Sequence, residues 1–289
     1  MKDFKNKVAV ITGGASGIGR AMAERFAREG MKIVLADIEA PALEATVAAM
    51  KADGATVIGV LTDVSKSEQI EALAAQTLEA FGKVHILCNN AGVGAHPRAT
   101  WELTKADWEW VIGANLWSVI YGVQTFVPIM LKQDEPGHVI NTASMAGLLS
   151  LGMMSPYFAT KHAVVSISES LHFEFAVRGS KLKAHALCPA FVNTRIGESE
   201  RNRPDREPAT LSPIEAQVGE AFARRLATGM PASELAEKVF EAVCEDRLYI
   251  LTHPERKPEF EWRVQNILND RNPDVMSMIQ RLASGKGAS

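Results

Sequence analysis

Residues 8–19 read VAVITGGASGIG, and the reading of this stretch decides the fold. Val8 to Thr12 is an apolar run rich in β-branched residues, the composition of a strand buried on both faces. It passes directly into Gly13, Gly14, Ala15, Ser16, Gly17, Ile18 and Gly19, and then into a helical pattern from Arg20 to Arg28. Glycines in such a turn allow positive φ and let the backbone approach a pyrophosphate. The free N–H groups and the dipole of the following helix favour its negative charge. Three glycines alone would be only a tight connection, but strand, glycine turn and helix in this order are the context in which a dinucleotide binds.

Working outward, further short Val- and Ile-rich runs occur at Ile33 to Ala36, Thr56 to Leu61, Val84 to Cys88, His138 to Thr142, Lys183 to Leu187 and Leu248 to Leu251. Helical patterns such as Ala40 to Met50 and Ser67 to Phe81 fill the intervals. Strands alternating with helices predict an α/β protein of the Rossmann type, with a doubly wound, seven-stranded parallel sheet and helices on both faces. No Gly-, Ser- or Pro-rich linker interrupts the alternation before residue 195, so residues 1–289 are expected to form a single domain. Between Arg195 and Pro213 the texture changes to RIGESERNRPDREPATLSP, which reads as a mobile lid or a solvated insertion. We expect residues 195–230 to act as a substrate lid and 253–289 as a C-terminal extension with a frayed end.

Composition excludes several classes. The chain has 289 residues, 47% hydrophobic and 22% charged, so a packed core is expected. Thirty-one Lys and Arg against 34 Asp and Glu give a net charge of -3, which sets up no field for nucleic acid or an anionic membrane. Cys88, Cys188 and Cys244 form no Cys-x-x-Cys pair, which fits a reducing compartment. The first ten residues lack the apolar core of a signal peptide, so a cytoplasmic location is expected. The most apolar stretch, Val119 to Leu131, is shorter than the ~20 residues that cross a bilayer. The seven histidines are scattered without metal-ligand spacing, and no catalytic metal is expected.

The second strand ends at Asp37, 18 residues beyond Gly19 and near the ~20-residue offset at which an acidic residue binds the adenosine ribose hydroxyls. A carboxylate there would repel the extra phosphate of NADP, so NAD is the expected cofactor. Asp37 could instead be only a helix cap. NADP would require another base, with Arg20 the nearest.

Downstream the chain reads NTASMAGLLSLGMMSPYFATKHAVVSISES, which places Ser144, Tyr157 and Lys161 in one continuous stretch. Ser155 and Pro156 suit the N-cap and first position of a helix, so Tyr157 and Lys161 fall one turn apart on one face. A phenol with a reference pKa near ~10 is a poor base at neutral pH, and an adjacent ammonium together with an oxidised nicotinamide is expected to stabilise its phenolate. Tyr157 is then the candidate general acid/base, and Ser144 the group that hydrogen-bonds the substrate oxygen. His162 is expected to point away from the Tyr157 face.

Thr12-Gly13-x-x-x-Gly17-x-Gly19, the Asn89-Asn90-Ala91-Gly92 run, and Ser144 followed by Tyr157-x-x-x-Lys161 together resemble the short-chain dehydrogenase/reductase family over about residues 5–195. The resemblance implies that Lys161 also binds the nicotinamide ribose and that Asn115 helps to hold a water in the proton relay. It implies that Asp63 and Val64 flank adenine, and that Asn90, Ala91 and Gly92 support the cofactor. Pro189, Val192 and Thr194 match the nicotinamide side. Ala190 departs from the pattern, standing where the family carries glycine. The resemblance also implies a homodimer or homotetramer formed through the helices at Lys105 to Leu131 and Pro156 to Val177.

Around the reacting centre the chain supplies Met145, Leu148, Leu149, Leu151, Met153 and Met154, with Phe191 and Ile196 at the start of the lid. The expected substrate is therefore a hydrophobic secondary alcohol or ketone. Two other readings stand beside this NAD-dependent oxidoreductase, an NADPH-dependent carbonyl reductase and a non-catalytic NAD-sensing Rossmann protein.

Overall fold

All seven expected strands form in a computed structural model that describes residues 1–204 and 211–276. They are β1 (Val8–Thr12), β2 (Lys32–Asp37), β3 (Val57–Leu61), β4 (Ile86–Asn89), β5 (Gly137–Thr142), β6 (Leu182–Cys188) and β7 (Tyr249–Leu251). Every pairing is parallel, in the order β3-β2-β1-β4-β5-β6-β7. β1 lies between β2 and β4, so the chain leaves it first to one side and later to the other. The crevice at the carboxyl ends of β1 and β4 is the switch point at which such sheets bind ligands.

The nine helices of the described residues are α1 (Gly17–Arg28), α2 (Ala40–Ala52), α3 (Ser67–Phe81), α4 (Lys105–Ile112), α5 (Ser118–Gln133), α6 (Ser155–Val177), α7 (Pro213–Ala227), α8 (Ala232–Cys244) and α9 (Lys257–Leu268). Alternation along β1 divides the core. Ala9 and Ile11 pack with Met22 and Phe26 of α1, Leu43 of α2 and Val239 of α8, whereas Val8 and Val10 pack with Leu73 of α3, Phe126 of α5 and Leu171 of α6. Burial on both faces explains why the strands read as unbroken apolar runs.

The structure departs from the expected helix at Lys105 to Leu131. A π-helical turn, Gly113–Trp117, separates α4 from α5 and carries the buried Asn115. The run Lys105–Gln133 is long and apolar enough to cross a membrane by length and composition alone. Val119, Gly122, Phe126, Val127 and Met130 are nevertheless buried within the fold, as in a core helix.

α6 is fixed to the sheet by a buried polar chain. Asn89 Nδ2 donates to Asn141 Oδ1 at 2.9 Å, Asn141 Nδ2 to Ser168 Oγ at 3.0 Å, and Ser168 Oγ to the Val164 carbonyl at 2.8 Å. Chains of this kind fix one docking geometry, because slipping would leave buried donors without acceptors. Ser155 is the first residue of α6 rather than its N-cap; Met154 occupies that position and Pro156 lies in the first turn.

Candidate active site

The glycine turn needs its glycines for two reasons. Gly13 and Gly17 hold positive φ, 62° and 52°, and a Cβ on Gly13 would stand 2.9 Å from the Ala91 Cα. Gly19 has a different task from the one expected, for it lies outside the lining of the cavity. A Cβ there would meet the Gly13 carbonyl oxygen at 2.1 Å, so its bareness lets α1 sit against the turn. Ser16 is the N-cap of α1, yet its side chain makes no capping bond to the helix.

Thr12 Oγ1 accepts from the backbone N–H groups of Asn90 and Ala91 at 2.9 and 3.0 Å, and Asn90 Nδ2 donates to the Thr12 carbonyl at 3.0 Å. Thr142 Oγ1 donates to Asn90 Oδ1 at 3.2 Å, tying the ends of β1, β4 and β5 together. Asp37 is held at both oxygens, Oδ2 accepting from Ala15 N at 2.9 Å and Oδ1 from Glu39 N at 3.0 Å. Asp63 Oδ1 accepts from the Ser65 amide and hydroxyl at 2.9 and 2.7 Å. Asp37, Glu39, Asp63, Ser65, Asn90 and Thr142, with Gly13, Ser16, Gly17, Ile18, Val64, Ala91 and Gly92, line one continuous cavity of about 570 Å³. A backbone cradle that a Cβ would fill, followed by uncapped amides and a fixed carboxylate, fits a dinucleotide.

The same cavity contains Ser144, Tyr157 and Lys161. Ser144 follows β5 in extended backbone, accepts from Ala146 N at 3.1 Å and donates to the Pro189 carbonyl at 3.3 Å. Tyr157 is half-buried on the first turn of α6, and Lys161 is buried one turn later with Nζ 5.6 Å from the Tyr157 ring centroid. Lys161 Nζ donates to the Thr142 carbonyl at 2.8 Å. Burial lowers the ammonium to about 8. Burial also pushes the Tyr157 phenol up, and a hydrogen bond with Ser144 pulls it the other way.

Asn115 stands behind this group rather than in the cavity wall. Its Oδ1 accepts from Val93 N at 2.7 Å and its Nδ2 donates to the Val93 carbonyl at 3.0 Å, so the side chain clamps the irregular segment that follows Gly92. A Cβ on Gly92 would lie 3.0 Å from Asn115 Oδ1 and 3.6 Å from Lys161 Nζ, which shows how closely the three approach. His162 is turned to its own helix, with Nδ1 2.9 Å from the Phe158 carbonyl, in line with its expected direction.

Pro189, Val192 and Thr194 line the cavity beyond β6. Ala190 does not take positive φ, so the turn is built without the left-handed residue that glycine would permit. His253, whose position the sequence left open, supports this turn. Its Nδ1 accepts from Ala190 N at 3.2 Å and its Nε2 donates to the Phe191 carbonyl at 3.2 Å. Met145, Leu149, Leu151, Met154, Phe191 and Ile196 line the cavity as expected, whereas Leu148 and Met153 do not.

Arg195–Asn202, in the stretch read as a mobile lid or a solvated insertion, forms a 3-10 segment pinned to its surroundings. Arg201 pairs with Glu39 at 2.5 Å, Arg203 with Asp107 at 2.7 Å, and Gly94 N donates to Ser199 Oγ at 3.0 Å. The segment thus bridges the ends of β2 and α4 over the cavity. Residues 205–210 of the expected lid and 277–289 of the expected extension lie outside the described residues. Within the extension, Arg256 and Glu259 line the cavity and Phe260 packs on Met145, Leu149 and Phe158, so the segment covers its own subunit's site.

The short chain dehydrogenase family model matches residues 7–205. The chain belongs to the short-chain dehydrogenase family. This dehydrogenase is similar in structure to a short chain dehydrogenase/reductase from Burkholderia phymatum in complex with NAD, with a TM-score of 0.92 and 48% identity, covering 94% of this chain and 98% of that one. In sequence it is 39% identical to the CLA biosynthesis dehydrogenase/reductase of Lactiplantibacillus plantarum, over 96% of this chain and 99% of the relative. It is 32% identical to the 1-deoxy-11-beta-hydroxypentalenate dehydrogenase of Streptomyces exfoliatus, over 88% and 86%.

Proposed function

We propose that this short-chain dehydrogenase interconverts a hydrophobic secondary alcohol and its ketone with NAD. The observation that carries the reading is the placement of Tyr157, Lys161 and Ser144 in one cavity with the glycine turn and Asp37. The NAD complex of the Burkholderia relative and the dehydrogenase names of the other two support it.

Gly13, Ser16, Gly17 and Ile18 would hold the pyrophosphate, Asp37 the adenosine ribose, Asp63 and Val64 the adenine, and Asn90, Ala91, Gly92, Pro189, Val192 and Thr194 the nicotinamide half. NAD, when bound, supplies the hydride acceptor. Ser144 Oγ hydrogen-bonds the substrate oxygen and fixes the carbinol C–H toward the cofactor side of the cavity. Tyr157 Oη accepts the hydroxyl proton as the C–H bond breaks and the carbonyl forms, and in reduction it returns that proton. Lys161 holds a positive charge below the phenol and binds the nicotinamide ribose. Asn115 positions the Gly92–Val93 backbone beside Lys161, where the relay's water would pass.

Asp37 disfavours the NADPH reading. The intact Ser144, Tyr157 and Lys161 disfavour a sensor without catalysis. Phe173 and Val177 expose apolar side chains on α6, 68% and 87%, which supports a homo-oligomer through that face; sedimentation showing monomer at micromolar concentration would refute it. The buried free thiols of Cys88 and Cys188 suit the cytoplasm.

The deciding experiment is NAD reduction against aliphatic, aryl and steroidal secondary alcohols, with Tyr157→Phe in parallel. Turnover is expected to fall by about 10²–10⁴ in the variant while NAD still binds. A variant that keeps most of its turnover would sink the mechanism.

A further inference from the structure

His253 follows β7 and stands opposite Ala190, 63 residues earlier, because the register that pairs Ala186 with Tyr249 and Cys188 with Leu251 runs on past both strands. Its ring is buried and meets two backbone groups of one turn, with Nδ1 3.2 Å from Ala190 N and Nε2 3.2 Å from the Phe191 carbonyl. An amide N–H needs a lone pair and a carbonyl needs a proton, so these partners select the neutral ring protonated at Nε2. The Thr252 hydroxyl, 2.8 Å from Nδ1, faces the same lone pair.

The amide that donates to His253 belongs to a peptide unit whose carbonyl reaches the reacting centre. The Pro189 carbonyl accepts from Met145 N at 2.8 Å and from Ser144 Oγ at 3.3 Å. One rigid plane thus carries His253 at its N–H edge and Ser144 at its C=O edge. Ser144 in turn hydrogen-bonds Tyr157. Ala190, whose φ is not positive, narrows the orientation of this plane where glycine would leave it loose. The Phe191 carbonyl has a second donor in Met230 N at 3.0 Å, so of the two backbone groups it is the Ala190 N–H that relies on the histidine.

We infer that His253 is a positioning residue, which through the Pro189–Ala190 peptide holds Ser144 where it bonds Tyr157 and the substrate oxygen. The inference rests on the dehydrogenase reading, from which Ser144 and Tyr157 take their tasks, and adds a residue beyond the stretch that the family model matches. A protonated ring offers no lone pair to the Ala190 N–H. A buried amide left unpaired turns its plane toward another acceptor, and the carbonyl leaves Ser144 as it turns. Burial pulls the ring below the ordinary histidine range; Arg256 and Lys238 act in the same sense, and Glu255 and the Phe191 carbonyl oppose them. The change therefore falls below about pH 6.5.

The far edge of the peptide can be followed apart from turnover. In isotopically labelled protein, NMR tracks the amides of Met145 and Ala146, which donate to the Pro189 carbonyl and to Ser144 Oγ, beside the ring nitrogens of His253 as the pH is lowered. Both amides should move with the His253 ring. They should stay still in His253→Asn, whose carbonyl oxygen replaces Nδ1 and takes no proton, and be displaced at neutral pH in His253→Leu. Reduction of decan-2-one by NADH is measured in parallel, because in that direction Tyr157 works protonated and acid leaves it so. Wild-type kcat should fall as His253 takes its proton, and that of His253→Asn should stay level. His253→Leu should lose about tenfold in kcat while its NADH dissociation constant stays within about twofold of the wild type. A ring that carries its proton on Nδ1, or that titrates while Met145 and Ala146 stay still, overturns the positioning role. Wild-type kcat in His253→Leu overturns it as well. Amides that follow His253 in a protein that reduces no aliphatic, aryl or steroidal ketone support the link to Ser144 and sink the dehydrogenase reading instead.

Discussion

Lys161 Nζ donates to the Thr142 carbonyl at 2.8 Å, joining the first turns of α6 to the last residue of β5 at the floor of the cavity. The lysine is 3% exposed, and burial brings its ammonium from the ordinary lysine range to about 8. The folded protein therefore releases this proton before the unfolded chain does. Between about pH 8 and the unfolded value near ~10.4 the unfolded state binds more protons, so stability from this site rises with pH. We predict that wild type gains about 3 kcal/mol relative to Lys161→Met over that window, measured by urea denaturation. A constant difference from pH 7 to 10 would show that the lysine is not held against its charge.

Asp37 gives the second prediction. Both of its oxygens accept backbone N–H groups and the residue lines the cavity, so its charge is fixed beside the glycine turn. Asp37→Asn keeps the shape and an acceptor while removing the charge. The ratio of kcat/KM for NADP to that for NAD should rise about tenfold or more, with dissociation constants from nicotinamide fluorescence moving in parallel. An unchanged ratio would assign cofactor choice to other residues.

The strap over the cavity is held by Arg203, paired with Asp107 at 2.7 Å where the two side chains are 11% and 14% exposed. Burial would push Asp107 up, but hydrogen bonds from Thr104 and Arg203 outweigh it and hold the carboxyl below its usual range. Arg203→Gln leaves the Thr104 capping box of α4 in place and removes the charge that closes the strap. Trypsin should then cut after Arg195 and Arg201 several-fold faster, and the local cost is about 2–4 kcal/mol, below that of global unfolding. Unaltered cleavage rates would mean that the Glu39 pair and the Ser199 hydrogen bond hold the segment without Arg203.

Acid should unfold the protein through a histidine pair on the interior strands β5 and β6. His138 Nδ1 and His185 Nε2 lie 2.9 Å apart, both fully buried on β5 and β6. Burial lowers them to about 2 and about 4, with His185 adding to the effect on His138. Their unfolded counterparts take protons near ~6.5, so the stability they contribute is present above that pH and is lost as pH falls below it. Denaturation midpoints should drop steeply between pH 6.5 and 4.5, by about 2 kcal/mol per histidine at pH 5. A flat profile across this range would contradict the assignment.

What the sequence determined on its own follows from local chemistry. Apolar runs without alternation specify strands covered on both faces, so the seven strands and their parallel, doubly wound arrangement are legible residue by residue. The glycine turn is legible because Gly13 and Gly17 must hold positive φ, and the Tyr157 and Lys161 pair because a helix fixes the spacing of i and i+4. Tertiary structure alone decided what depends on contacts between distant segments. Gly19 became a packing contact because the Gly13 carbonyl lies where its side chain would be. Lys161 turned to Thr142, and Asn115 to Val93, because those backbone groups are the buried partners within reach. The charged run after Arg195, solvated by composition, became a strap because Glu39 and Asp107 wait on other elements. Arg225 and Arg256 met at Phe191 for the same reason, since no periodicity along a chain records which residues the folding of α7 and α9 brings to one ring.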